Sequence, residues 1–211
     1  MSRWNGKKVV MIGAARQAVA LSRFLAQKGA SVILNDRRPI EALTDAQESL
    51  SGTGVELVAG SHPIEILEGA DLVCLSGGIP QNLSLVQEAS RLNIPFSNDS
   101  QIFLEEAHCT VIGITGSSGK TTTTALVGEI ARKHYEIRKP GFNVWVGGNI
   151  GNPLIQDIDQ MQADDIAVVE LSSFQLEIMT RSPQIAAVLN LTPNHLDRHK
   201  TMSKYIAAKA N

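Results

Sequence analysis

The run Gly116-Ser117-Ser118-Gly119-Lys120-Thr121 combines the residue types that hold a polyphosphate. Glycines let backbone N–H groups turn inward, a lysine supplies a point charge, and a threonine hydroxyl can reach Mg²⁺. The run follows an apolar stretch, Val111-Ile112-Gly113-Ile114, and precedes a helical pattern from Thr123 to Ala131. Strand, loop and helix N-terminus in that order favour bound phosphate. Ile114 stands where the common phosphate-loop pattern has glycine. The bland alternative is a Gly-Ser turn between core elements, which leaves Lys120 and the threonines Thr121 to Thr124 without a role.

Other polar residues fall where strands should end. Ile166-Ala167-Val168-Val169 closes on Glu170, an acid placed to reach Mg²⁺ directly or through water. Gly147-Gly148-Asn149-Ile150-Gly151 suggests backbone held close to a ligand, or a tight turn around a left-handed asparagine. Ile185 to Asn190 reads as a buried strand ending in Leu191-Thr192-Pro193-Asn194-His195-Leu196-Asp197-Arg198-His199, a polar cluster suited to a site. By residue pattern alone Lys209, on a final helix beginning near Met202, is a solvated lysine.

The first half of the chain has its own candidates. Lys8 to Gly13 and Ser31 to Asp36 read as strands, joined by a helix from Gln17 to Gly29 with Ala18, Leu21, Leu25 and Ala26 inward. An acid at the second strand's tip is the ribose-binding geometry of a Rossmann-like unit. Only Gly13 of the G-x-G-x-x-G fingerprint is present, so a dinucleotide is a weak match. Arg37 and Arg38 either assist another nucleotide or form a solvated turn before Pro39. Gly77-Gly78-Ile79-Pro80 follows a further strand, Asp71 to Ser76, at the end where ligands collect.

The elements that must carry these residues alternate strand and helix throughout. The expected fold is α/β: a Rossmann-like N-terminal domain, residues 1–93, with a seam at Asn93-Ile94-Pro95. The first part of a P-loop ATPase-type α/β domain follows, residues 94–211. The 211 residues are 43% hydrophobic and 19% charged, an ordinary globular composition. A net charge of −2 and 4% aromatics argue against a nucleic-acid surface. Cys74 and Cys109 read as reduced core residues, and two cysteines exclude a thiolate zinc site. The polar start Ser2 to Gly6 and the lack of a long apolar run indicate no signal peptide, no membrane span and a cytoplasmic location.

Taken in order, Thr115 to Thr122, Gly147 to Gly151, Glu170-Leu171-Ser172-Ser173-Phe174-Gln175-Leu176-Glu177, Asn194 to His199, and Tyr205-Ile206-Ala207-Ala208-Lys209 resemble the Mur ligases of bacterial cell-wall synthesis. The resemblance covers essentially the whole chain. It implies an ATP- and Mg²⁺-dependent amide ligase that acts through an acyl phosphate. The implied substrates are UDP-N-acetylmuramoyl-L-alanine and D-glutamate. Gly116, Ser117, Ser118, Gly119, Lys120, Thr121 and Thr122 would bind ATP, with Lys120, His195 and Lys209 catalytic. Thr121 and Glu170 would hold one Mg²⁺, and His195 and Lys209 would serve a second, the lysine carbamylated rather than solvated. Asn149 and Ser172 would approach the muramoyl group. Arg16, Gln17, Asp36, Arg37, Arg38 and Gly78 would grip the uridine diphosphate.

Ser118 departs from the asparagine usual in the family, and the glycines expected after Gly13 are absent. Family members run to roughly twice this length, so the chain is expected to be a monomeric, inactive N-terminal portion lacking the D-glutamate domain. Two alternatives compete: a non-catalytic nucleotide or UDP-sugar binding module, and a sibling Mur or folylpolyglutamate ligase.

Overall fold

The computed structural model describes residues 2–138 and 141–211 of the chain. It divides into two compact units, Met1–Asp99 and Ser100–Asn211.

The first unit runs β1 (Lys8–Ile12), α1 (Arg16–Gln27), β2 (Ser31–Asp36), α2 (Thr44–Leu50), β3 (Glu56–Ala59), β4 (Leu72–Leu75), α3 (Ser84–Arg91) and β5 (Phe96–Ser97). All five strands are parallel, in the order β3-β2-β1-β4-β5. Parallel strands joined through helices are covered on both faces, so their sequences are continuous apolar runs. Accordingly Val9, Val10, Met11 and Ile12 are all buried. α1 packs on this sheet through Ala18, Leu21 and Leu25, as its spacing predicts. Each buried leucine contributes about 1.5–3 kcal/mol.

The strand order reverses between β1 and β4, and such a switch point opens a crevice at the strands' carboxyl ends. Gly13 closes the β1 side of it at φ +93°. A Cβ there would lie 2.9 Å from Ser76 Cβ. The one retained glycine therefore permits two loops to approach each other. The units divide beyond the expected seam at Asn93–Pro95 because Phe96 and Ser97 pair with Val73 and Cys74 and complete the first sheet.

The second unit contains α4 (Asp99–Glu106, opening at the division), β6 (Thr110–Thr115), α5 (Lys120–Arg138), β7 (Val144–Gly148), β8 (Ile166–Glu170), α6 (Ser173–Leu176), β9 (Ile185–Val188), α7 (Leu196–His199) and α8 (Met202–Ala210). Its parallel sheet has the order β7-β8-β6-β9. Buried Asp165 ties the amino ends of β7 and β8 together. It accepts from Asn143 N at 2.9 Å, Gln162 N at 3.0 Å and Trp145 Nε1 at 2.9 Å. β9 is not the buried strand its composition suggests. Among the described residues it pairs only with β6, at the sheet edge, and Ile185 and Val188 are each 53% exposed.

Cys74 and Cys109 are buried and free. Among the described residues no helix is long and apolar enough to cross a membrane.

Candidate active site

In the second unit, parallel pairing aligns the carboxyl ends of three strands. Ile114 pairs with Glu170 across β6 and β8, and Gly148 pairs with Glu170 across β7 and β8. The phosphate loop leaves β6 there and enters α5 at Lys120. Glu170 is 2% exposed. Its Oε2 accepts the Thr121 hydroxyl at 2.7 Å, and its Oε1 accepts Asn149 Nδ2 at 2.9 Å. Asn149 thus orients the acid. The glycines before Asn149 answer a different need from the one expected. A Cβ on Gly148, at φ +100°, would lie 2.5 Å from the Glu170 carbonyl oxygen. The backbone held close is the protein's own.

Lys120 Nζ donates to the carbonyls of Gly116 at 3.0 Å and Ser117 at 3.3 Å. An ammonium has three donors, so one remains for a phosphate oxygen. The loop is braced from the β9–α7 connection. Ser118 N donates to Asn190 Oδ1 at 3.0 Å, and Asn190 Nδ2 returns a bond to the Ser118 carbonyl at 3.0 Å. The shorter Ser118 side chain keeps a partner there, its Oγ lying 3.3 Å from Asn190 Oδ1. Ser117 Oγ donates to the Thr192 carbonyl, accepts Thr192 N–H, and lies 2.9 Å from the buried Tyr205 hydroxyl. Sequence reasoning placed Asn190 at the strand end and Thr192 in the polar cluster but gave neither a site role. A polar residue at the end of a strand beside the loop strand is the signal that points to them.

Lys209 is 5% exposed, which corrects the reading of it as a solvated helix lysine. α8 turns it inward beneath the loop. Its Nζ donates to Thr115 Oγ1 at 3.1 Å and lies 5.0 Å from the Tyr205 ring centroid. Burial and the nearby Lys120 charge lower its pKa from 10.5 to about 8, with Glu170 opposing. The folded state then binds the proton less tightly than the unfolded chain. The stability cost is full below about pH 8 and fades as pH rises from about 8 to 10.5. Lys209→Met should raise the melting temperature at pH 7 by about 2–6 °C. It should also remove the gain in stability between pH 8 and 10.5. Parallel melting curves for the two proteins across that range would contradict this account of Lys209.

His195 is exposed, has φ +53°, and sets its ring 4.9 Å from that of Phe174. Among the described residues it makes no hydrogen bond to Glu170 or Lys209, and no group of three or more His, Cys, Asp or Glu side chains is arranged to hold a metal. Ser172 caps α6: its Oγ accepts Gln175 N–H at 3.3 Å and donates to Gln175 Oε1 at 2.9 Å.

In the first unit, Arg16 and Gln17 open α1, Asp36 ends β2, and Arg37, Arg38 and Gly78 lie in the loops after β2 and β4. All stand at the carboxyl end of the sheet. Asp36, however, is not an open ribose acceptor. Its Oδ2 accepts Ala14 N–H at 2.8 Å and Arg38 Nη2 at 2.9 Å. Its Oδ1 accepts Arg38 N–H at 2.9 Å and Nε at 3.0 Å. Four bonds fill a carboxylate's acceptor capacity. Burial alone would raise the carboxyl pKa, but the bonds from Arg38 and Ala14 outweigh it and hold the value at about 2. The stabilisation is present above about pH 3.8 and is lost as pH falls through about 2. Asp36→Ala should cost about 1–3 kcal/mol at pH 7 by strands two partners losing their acceptor. An unchanged denaturant midpoint would refute the clamp.

The MurD-like N-terminal domain model of the Mur ligases matches residues 7–97, and the Mur ligase middle domain model matches residues 114–211. A UDP-N-acetylmuramoylalanine–D-glutamate ligase of Pelotomaculum thermopropionicum is 44% identical over 205 residues, covering 97% of this chain and 44% of the relative. One of the same name from Symbiobacterium thermophilum is 41% identical over 203 residues, covering 96% and 43%. The chain thus spans less than half the length of these curated relatives. The fold is shared with a solved UDP-N-acetylmuramate:L-alanyl-gamma-D-glutamyl-meso-diaminopimelate ligase from Neisseria meningitides. That match has a TM-score of 0.60 at 18% identity, over 97% of this chain and 66% of the other. It is also shared with a UDP-N-acetylmuramate-alanine ligase from Thermotoga maritima, with a TM-score of 0.55 at 20% identity, over 95% and 45%. With one domain model over each unit, the chain belongs to the Mur ligase family.

Proposed function

We propose that this chain carries the UDP-substrate unit and the phosphate-loop part of an ATP-dependent amide ligase. The enzyme joins D-glutamate to UDP-N-acetylmuramoyl-L-alanine through an acyl phosphate. The observation that carries the reading is Thr121 and Glu170, hydrogen-bonded at 2.7 Å where the phosphate loop enters α5. The names of the relatives supply the substrates.

The residues fit Mg²⁺. The Thr121 hydroxyl and Glu170 carboxylate are hard oxygen donors, and Glu170 is a buried acid with no ion pair among the described residues. When bound, the metal neutralises phosphate charge. A substrate carboxylate oxygen attacks the γ-phosphorus, and the bond to the β-phosphate oxygen breaks to release ADP. The amine of D-glutamate then adds to the acyl carbon, loses a proton, and expels phosphate as the amide forms. Two anions must meet in the first step, so positioning and positive charge supply the rate. Lys120 supplies the positive charge at the γ-phosphate end of the loop. His195 and Lys209, the latter carbamylated, are the proposed ligands of a second Mg²⁺.

At the first sheet, Arg16, Gln17, Arg37, Arg38 and Gly78 receive the uridine diphosphate. Ala15, the α1 N-cap, makes no side-chain cap hydrogen bond, and the positive end of the helix dipole there favours a diphosphate. Asp36 shapes this site by holding Ala14 and Arg38. Asn149 and Ser172, beside Glu170, are proposed to approach the muramoyl group.

The test is ADP release by a protein of the relatives' length, supplied with UDP-N-acetylmuramoyl-L-alanine and one amino acid at a time. Release that depends on D-glutamate supports the reading. Release with L-alanine on the unsubstituted muramoyl nucleotide, or with a folate and L-glutamate, would assign a sibling reaction. UDP-sugar binding without any turnover would favour a binding module.

A further inference from the structure

His62 lies in the loop after β3, at the same carboxyl end of the first sheet as Asp36. Gly60 N–H, two residues before it, bonds to the carbonyls of both Asp36 at 3.0 Å and Arg38 at 2.9 Å. That fastens this loop to the β2 tip. Asn35, fully buried, then determines the state of the ring. Its Nδ2 donates to the Val58 carbonyl at 2.9 Å and to the Ser61 carbonyl at 2.8 Å. Only the amide nitrogen can face two carbonyl oxygens, so Oδ1 must face His62. Oδ1 lies 2.5 Å from His62 Nδ1. An amide oxygen can only accept, so Nδ1 carries the proton and the neutral ring presents a bare lone pair at Nε2. Nε2 makes no hydrogen bond among the described residues, and the side chain is only partly buried.

Asp36, at the tip of the neighbouring strand, cannot serve as that acceptor. Asp36 already accepts four bonds from Ala14 and Arg38. An incoming nucleoside with N–H and O–H donors finds a filled carboxylate and an open imidazole nitrogen at the same strand ends.

We propose that His62 is a nucleoside-binding residue, its Nε2 accepting a hydrogen bond from an N–H or O–H group of the uridine in the UDP substrate. This rests on the reading of the first unit as a UDP-substrate site. Asp36 and Arg37 are the charged groups that act on the ring, with opposite signs. Burial outweighs both and lowers its pKa from 6.5, keeping the acceptor form at neutral pH. Protonation at lower pH would turn Nε2 into a donor and remove the bond.

The experiment is calorimetric titration of the chain with UDP-N-acetylglucosamine, whose phosphate diesters do not titrate between pH 5 and 8. His62→Ala should weaken binding about tenfold at pH 7.5. In the wild type, affinity should fall as pH drops below 6.5, and in the variant it should not. Among analogues methylated at uracil N3 or lacking the ribose 2′- or 3′-hydroxyl, one should bind the wild type about tenfold more weakly and the variant no worse than the parent ligand. The analogue arm and the pH arm on the wild type stand even if the variant fails to fold. Equal affinity of His62→Ala and wild type, or full-strength wild-type binding of all three analogues, would overturn the proposal alone. No binding of UDP-N-acetylglucosamine to the wild type would overturn it together with the UDP-substrate reading.

Discussion

Lys120→Ala, made in a protein of the relatives' length, lowers turnover by about 10²–10⁴-fold, as loss of a charge aimed at a transferring phosphoryl group does. The loss should appear in kcat as well as kcat/KM, because charge builds between carboxylate and phosphate only as they approach. The fold should survive the change. Among the described residues Lys120 donates only to the Gly116 and Ser117 carbonyls, and the loop is held independently by Asn190, Thr192 and Tyr205. Steady-state kinetics with a thermal melt separate the two effects. Near-wild-type turnover with an unchanged melt would remove Lys120 from the chemistry.

Glu170→Gln should raise the Mg²⁺ concentration needed for half-maximal activity by about tenfold or more and lower turnover by about 10–10³-fold. The geometry makes glutamine an informative replacement. Its amide oxygen can still accept from Asn149 Nδ2. Its amide nitrogen then faces the Thr121 hydroxyl, which can rotate to accept. Shape and hydrogen bonds persist while the negative charge goes. Glu170→Ala instead leaves Thr121 and Asn149 without their acceptor and should cost a further 1–3 kcal/mol of stability, to order of magnitude. A Mg²⁺ titration unchanged in Glu170→Gln would take the residue out of the metal site.

The phosphate loop was legible because its determinants are local. A β-branched run, a small-residue turn and a lysine opening a helix are all properties of neighbours in sequence, and β6 and α5 form where that pattern puts them. The strand-end acid was legible for the same reason: Val168-Val169-Glu170 carries its burial and its terminus together.

What was not legible depends on partners distant in sequence or on choices among near neighbours. Asp36 has the position of a ribose acceptor, yet Arg38 and Ala14 consume its lone pairs, and no spacing rule reveals a filled carboxylate. Lys209 occupies an ordinary helical position, and only the docking of α8 beneath the loop buries it. β9 has the composition of a core strand, yet it has a neighbour on only one side. β5 has two residues, too few to carry a period, so the division between units was set too early. His62 gave no signal, because its state follows from the orientation of Asn35's amide.

The ligase reading turns on a substrate carboxylate oxygen bonding to the γ-phosphorus. That oxygen must then leave with phosphate when the amide forms. The direct measurement is ¹⁸O transfer, using UDP-N-acetylmuramoyl-L-alanine labelled in the alanyl carboxylate, with ATP and D-glutamate. The account predicts one labelled oxygen in the inorganic phosphate for each amide formed. Amide formed with unlabelled phosphate would contradict it.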